Sequence, residues 1–101
     1  MADEVKPIPE LTEESLNEVN VEEAVKHALS LACDREPSQI SLRDRITADL
    51  RCQSDDLIYS CVDLERATGI RFTIGDFRRC RTVRQFVEMV QRYVDVNKTY
   101  L

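Results

Sequence analysis

The stretch ITADLRCQSDDLIYSCVDLERATGIRF, residues 46–72, together with FRRCRTVRQFVEMV at 77–90, decides the fold. Ser54, Asp55 and Asp56 offer an N-cap and two first-turn carboxylates, and Leu57, Ile58, Cys61, Val62 and Leu64 then form an apolar stripe that stops at Gly69. A serine oxygen accepts from an unpaired N–H of the first turn, carboxylates suit the positive end of the helix dipole, and glycine adopts the left-handed conformation that ends a helix. The spacing predicts a helix opening at Ser54, with the hydroxyl exposed at the end of a loop. A phosphate attached there would face the unpaired N–H groups of the first turn.

Working outward, an extended IRFTI leads to a short helical turn over Gly75 to Arg79 with Phe77 inward. Thr82 and Gln85 have the spacing of a capping box, and Val83, Phe86, Val87, Val90, Tyr93 and Val94 recur with the helical period. Toward the N-terminus, Asn20 and Glu23 make a second such box before Val21, Ala24, Val25, Ala28, Leu29 and Ala32. That helix should end near Cys33 or Asp34, ahead of Pro37, which a helix interior excludes. Between Pro37 and Gln53 only isolated apolar anchors occur, at Ile40, Leu42, Ile46 and Leu50, so a long ordered loop is expected. Thr12 to Ser15 could begin a brief further turn bearing Leu16 and Val19. The expectation is an all-α fold: a small bundle of three main helices plus one short helix, with a long loop between helices 1 and 2. Residues 1–19 are expected to be an acidic, largely flexible extension, 20–96 the helical domain and 97–101 a tail.

A chain of 101 residues makes one small domain with a modest core, so function is expected on its surface. Apolar residues at 43%, no Trp and only two Gly favour helices over a turn-rich sandwich. No apolar run approaches the length of a membrane span, and MADEVKP lacks the basic-then-apolar order of a signal peptide, so a soluble cytoplasmic monomer is expected. The net charge of −5 is unevenly spread: residues 1–23 hold eight acidic side chains against Lys6 alone. Arg66, Arg71, Arg78, Arg79, Arg81, Arg84 and Arg92 outnumber Asp76 and Glu88 toward the C-terminus. The four cysteines, Cys33, Cys52, Cys61 and Cys80, contain no C-x-x-C pair, which argues for reduced thiols and against a metal knuckle or thioredoxin-type site. Cys61 and Cys80 are expected as small core residues, and Cys52 on an exposed loop beside Ser54.

Over roughly its last three quarters the chain resembles the acyl carrier protein family. The family's D-L-G-x-D-S-L-D segment aligns without a gap on Asp49, Leu50, Arg51, Cys52, Gln53, Ser54, Asp55 and Asp56. Its L-E-x-x-x-G-I matches Leu64, Glu65, Gly69 and Ile70, and its T-V before the last helix matches Thr82 and Val83. The resemblance implies a 4′-phosphopantetheine arm, taken from coenzyme A and attached to Ser54 with Asp55 and Asp56 beside it, that carries acyl or aminoacyl groups as thioesters. It implies a carrier with no catalytic residues and no metal, not an enzyme, whose partners are a phosphopantetheinyl transferase and acyl-transferring or condensing enzymes. Four features depart from the family pattern. Gln53 replaces an aspartate, Arg51 a glycine, and Asp55 a leucine that docks into partners. The family's partner face is acidic, whereas here Arg66, Arg71, Arg78, Arg79 and Arg81 occupy it, which implies acidic docking surfaces and a specialised lipid or secondary-metabolite pathway in place of general fatty acid biosynthesis.

The plainer alternatives stand beside these. Ser54 can be an ordinary N-cap, in which case the chain is a degenerate, unmodified carrier-like module that binds partners through its arginine-rich face. The arginines can simply be solvated, and sparse aromatics with an acidic pI disfavour nucleic acid. His27, the lone histidine, lacks a nucleophile to serve, and Tyr59 is expected half exposed.

Overall fold

The computed structural model describes residues 20–99, and the turn expected at Thr12 to Ser15 and the acidic extension lie outside them. Four α-helices make up the described chain: α1 (Val21–Cys33), α2 (Ser54–Thr68), α3 (Ile74–Arg79) and α4 (Val83–Thr99), with a single 3-10 turn at Pro37–Gln39. The all-α bundle with three main helices and one short one is the observed architecture, and no strand occurs among the described residues. Helix α4 runs to Thr99, beyond the boundary at 96 drawn from the sequence.

Helices α1 and α4 start where their capping residues dictate. Asn20 Oδ1 accepts the Glu23 N–H at 3.2 Å ahead of α1. At α4 the box is reciprocal: Thr82 Oγ1 accepts from the Gln85 N–H at 3.2 Å, and Gln85 Oε1 accepts from the Thr82 N–H at 3.3 Å. Helix α1 ends at Asp34 with φ of 55° and α2 at Gly69 with φ of 73°, both left-handed. Glycine adopts this conformation without a Cβ clash, so Gly69 suits its position better than Asp34 does.

Helix α1 packs against α2 and α4, and α3 bridges α2 and α4. Phe77 of α3 is wholly buried at the centre, its ring 5.5 Å from Phe72 and 4.7 Å from Phe86, both in edge-to-face geometry. Val25, Leu29, Leu64, Val83, Val90 and Val94 complete the core from the three long helices.

On α2 the buried face differs from the expected stripe. Leu57, Ser60, Cys61, Leu64 and Thr68 face inward, whereas Ile58 and Val62 are 43% and 41% exposed. The physical reason lies in two hydroxyls that the polarity pattern counts as outward. Thr68 Oγ1 donates to the Leu64 carbonyl at 2.7 Å, and Ser60 Oγ lies 3.5 Å from both the Asp56 and Ala28 carbonyls. Each hydroxyl finds a backbone acceptor, so its burial leaves nothing unpaired, and small side chains at the contact let α1 approach α2 closely.

Candidate functional site

The long connection between α1 and α2 is ordered because its backbone is shared with the start of α4. The Ile46 N–H donates to the Arg81 carbonyl at 2.8 Å, Val83 to Asp44 at 3.0 Å and Arg84 to Leu42 at 2.8 Å. Arg45 and Thr82 thereby form an isolated antiparallel bridge. Ile40, Ile46 and Leu50 are buried, which gives the expected anchors their role. Beyond this pin the chain folds back: the Cys52 N–H donates to the Ile46 carbonyl at 3.0 Å.

Asp49 stabilises that reversal. Its carboxylate accepts the Arg45 backbone N–H at 2.7 Å and the Arg45 guanidinium at 3.2 Å. Hydrogen bonding from the Arg45 side chain, then from its backbone, holds the Asp49 carboxyl below its ordinary value, and the same bond raises Arg45. Next in the chain but one, Arg51 sits at φ of 59°, a left-handed conformation uncommon for a residue with a Cβ.

Helix α2 opens one residue earlier than expected. Gln53 is the N-cap, and the Asp56 carboxylate accepts its N–H at 2.8 Å, so Ser54 is the first helical residue and not the cap. The aspartate outcompetes the serine for the role because it lies three residues after Gln53, where a carboxylate reaches back to the cap N–H. Asp56 is thereby committed to the backbone, while Gln53 and Asp55 are exposed on either side of Ser54. Helical spacing sets position 54 one turn before Ile58, and Ile58 one turn before Val62. Ile58 and Val62, which the sequence stripe assigns to the core, are thus exposed along the turns after position 54, and Tyr59, expected half exposed, is 70% exposed beside them. The signal that could have found this exposure was the competing register Leu57, Ser60, Leu64, Thr68.

All five arginines proposed as partner contacts are exposed. Arg66 lies in the last turn of α2, Arg71 in the following connection, Arg78 and Arg79 at the end of α3, and Arg81 just before α4. Arg79 is 3.8 Å from Asp76 of its own helix. An open cleft of about 550 Å³ lies between α3 and α4, lined by Asp76, Arg79, Cys80, Met89, Arg92 and Tyr93 among others and by no residue of α2. His27 and Tyr59 do not line this cleft, and His27 Nδ1 is 3.4 Å from the Asp63 carboxylate across the α1–α2 contact.

The cysteines depart most from expectation. Cys33 and Cys52 are joined as a disulfide with their Cα atoms 5.3 Å apart, a normal separation for that bond. Cys52 is not on an exposed surface: it is 1% accessible. Wide spacing in sequence hid the pairing, because the loop returns Cys52 to the end of α1. Cys61 and Cys80 are free thiols, and burial pushes both up to about 11.

No protein-family model matches the chain, and no curated protein matches it. Among the described residues no helix is long and apolar enough to cross a membrane.

Proposed function

We propose that the protein is an acyl carrier, bearing acyl or aminoacyl groups as thioesters on a 4′-phosphopantetheine arm joined to Ser54, in a specialised lipid or secondary-metabolite pathway. The observation that carries this reading is the position of Ser54. It is the first residue of α2, at the end of a loop pinned to the start of α4, with exposed neighbours on both sides. The arm supplies the thiol that bears the cargo, which is why the protein needs no general base of its own.

The chain's own residues hold and present the attachment point. The Gln53–Asp56 cap and the Cys33–Cys52 bond fix where α2 begins, and the first-turn N–H groups suit a phosphodiester oxygen. Ile58 and Val62 offer the apolar contact that Asp55 does not, and Arg66, Arg71, Arg78, Arg79 and Arg81 select partners with acidic rims. The partners are a phosphopantetheinyl transferase and the enzymes that load or condense the cargo.

A second reading, an unmodified module that binds an acidic partner, draws on two observations. Asp55 sets an exposed carboxylate where the resemblance has leucine, and the five arginines are all exposed. Incubation with coenzyme A and a broad-specificity phosphopantetheinyl transferase, followed by intact mass measurement, separates the two. The carrier gains one phosphopantetheine and Ser54→Ala gains none; an unchanged wild-type mass selects the module.

A further inference from the structure

We infer that Cys33 and Cys52 form a thiol–disulfide exchange pair that clamps the start of α2 to the end of α1, and that Cys33 is the sulfur at which exchange begins. Cys33 is the last residue of α1, and Cys52 lies two residues before the first residue of α2. The bond therefore closes the whole α1–α2 connection, its ends 19 positions apart in sequence.

The segment it restrains is short. Residues 42–46 are already tied to α4 by backbone hydrogen bonds, so the bond acts chiefly on 47–53. That stretch contains the left-handed Arg51 and is held by buried Leu50 and Cys52, the Arg45–Asp49 contacts, the Leu50 N–H to the Arg45 carbonyl, the Arg35 guanidinium to the Asp49 carbonyl and the Cys52 N–H to the Ile46 carbonyl. Opening the disulfide leaves those contacts alone to hold the unfavourable Arg51 conformation, directly before the Gln53 cap.

Unequal burial orders the chemistry. An attacking thiolate must reach one sulfur of the bond, and Cys33 is half-buried whereas Cys52 is almost wholly enclosed. In the oxidising direction, with a low-molecular-weight disulfide as oxidant, the Cys33 thiol loses its proton to solvent and attacks one sulfur of the oxidant. A small thiolate leaves, and Cys33 carries a mixed disulfide. Cys52, deprotonated in turn, attacks the Cys33 sulfur and expels the second small thiolate. Two protein thiols are oxidised and one external disulfide is reduced, and the two protons released by the protein pass through solvent to the two leaving thiolates. Reduction runs the same steps backward, with the external thiolate entering at Cys33 and the Cys52 thiolate leaving. Cys61 and Cys80 stay outside this exchange because each is a free thiol, joined to no second sulfur.

The consequence for cargo attachment rests on the reading of Ser54 given above, but the clamp itself does not. The full chain, oxidised with glutathione disulfide or reduced with excess dithiothreitol, is compared by amide hydrogen exchange. Residues 49–55 are expected to exchange about tenfold faster or more in the reduced form, with the α4 amides unchanged. Equal protection in the two forms overturns the clamp. Under glutathione disulfide, Cys52→Ala accumulates a mixed disulfide at Cys33 and Cys33→Ala gains little at Cys52; adducts at Cys52 to the same extent overturn the order of attack. Transferase-dependent mass gain is recorded on the same oxidised and reduced samples. No gain in either rejects the carrier reading and leaves the exchange result standing.

Discussion

The Asp56 carboxylate accepts the Gln53 N–H at 2.8 Å and so sets the start of α2 at Ser54. Removing that acceptor leaves a first-turn donor to water and takes a negative charge from the positive end of the helix. Asp56→Ala is expected to lower stability by about 1 kcal/mol, a drop of about 4–8 °C in Tm, with Asp56→Asn losing less. Thermal melts of the two variants check both the loss and its order.

Arg51 holds φ of 59° in the turn before Cys52. A left-handed conformation costs a residue with a Cβ about 1–2 kcal/mol, partly offset for glycine by its larger unfolded-state entropy. Arg51→Gly is therefore expected to stabilise the fold by about 1 kcal/mol, despite enlarging no contact. A urea midpoint that falls for this variant contradicts the assignment of strain to that position. Glycine is also the residue the acyl-carrier pattern has there.

Phe77 fills the centre of the bundle between Phe72 and Phe86. Phe77→Ala removes a wholly buried ring and is expected to cost about 3–5 kcal/mol, a large share of the about 5–15 kcal/mol that holds a domain together. Phe77→Leu keeps most of the volume and should cost far less. Denaturant titrations followed by circular dichroism distinguish them.

Reduction of Cys33–Cys52 reopens a loop whose ends are 19 residues apart. Chain-entropy reasoning gives a loss of about 3 kcal/mol, or a Tm lower by on the order of 15 °C. Scans with and without dithiothreitol measure it, and coincident curves contradict a bond that constrains the chain.

The free thiols give a pH dependence of definite sign. Burial raises Cys61 and Cys80 to about 11 from an ordinary 9.0, so the folded state keeps protons that the unfolded state releases. Stability from this source is complete below about pH 9 and is lost as pH rises toward 11. Cys61→Ala should flatten the decline, measured as urea midpoints across that range.

Helix ends were legible in the sequence because they depend on local chemistry. Asn20, Gly69 and the Thr82–Gln85 box act within a few residues of themselves, and each is found at its helix end. The period of α4 was equally clear, since Val83, Phe86, Val90 and Val94 meet one continuous core. On α2 the reading failed where hydroxyls were buried: Ser60 and Thr68 satisfy themselves on backbone carbonyls, so polarity did not report their direction. At the candidate site, the helix start was visible and its cap was off by one residue, because serine and the Gln53–Asp56 pair compete for one role. The Cys33–Cys52 bond was not legible, since it depends on a loop path set by contacts between Ile46 and Arg81.

The carrier function depends on one covalent bond at Ser54, and the tryptic peptide Cys52 to Arg66 reports on it directly. The protein is treated to completion with coenzyme A and a phosphopantetheinyl transferase, reduced, alkylated and digested. This peptide is expected to carry one phosphopantetheine, localised by fragmentation to Ser54. Recovery of the peptide without that addition, under conditions that fully modify a known carrier in the same tube, contradicts that function.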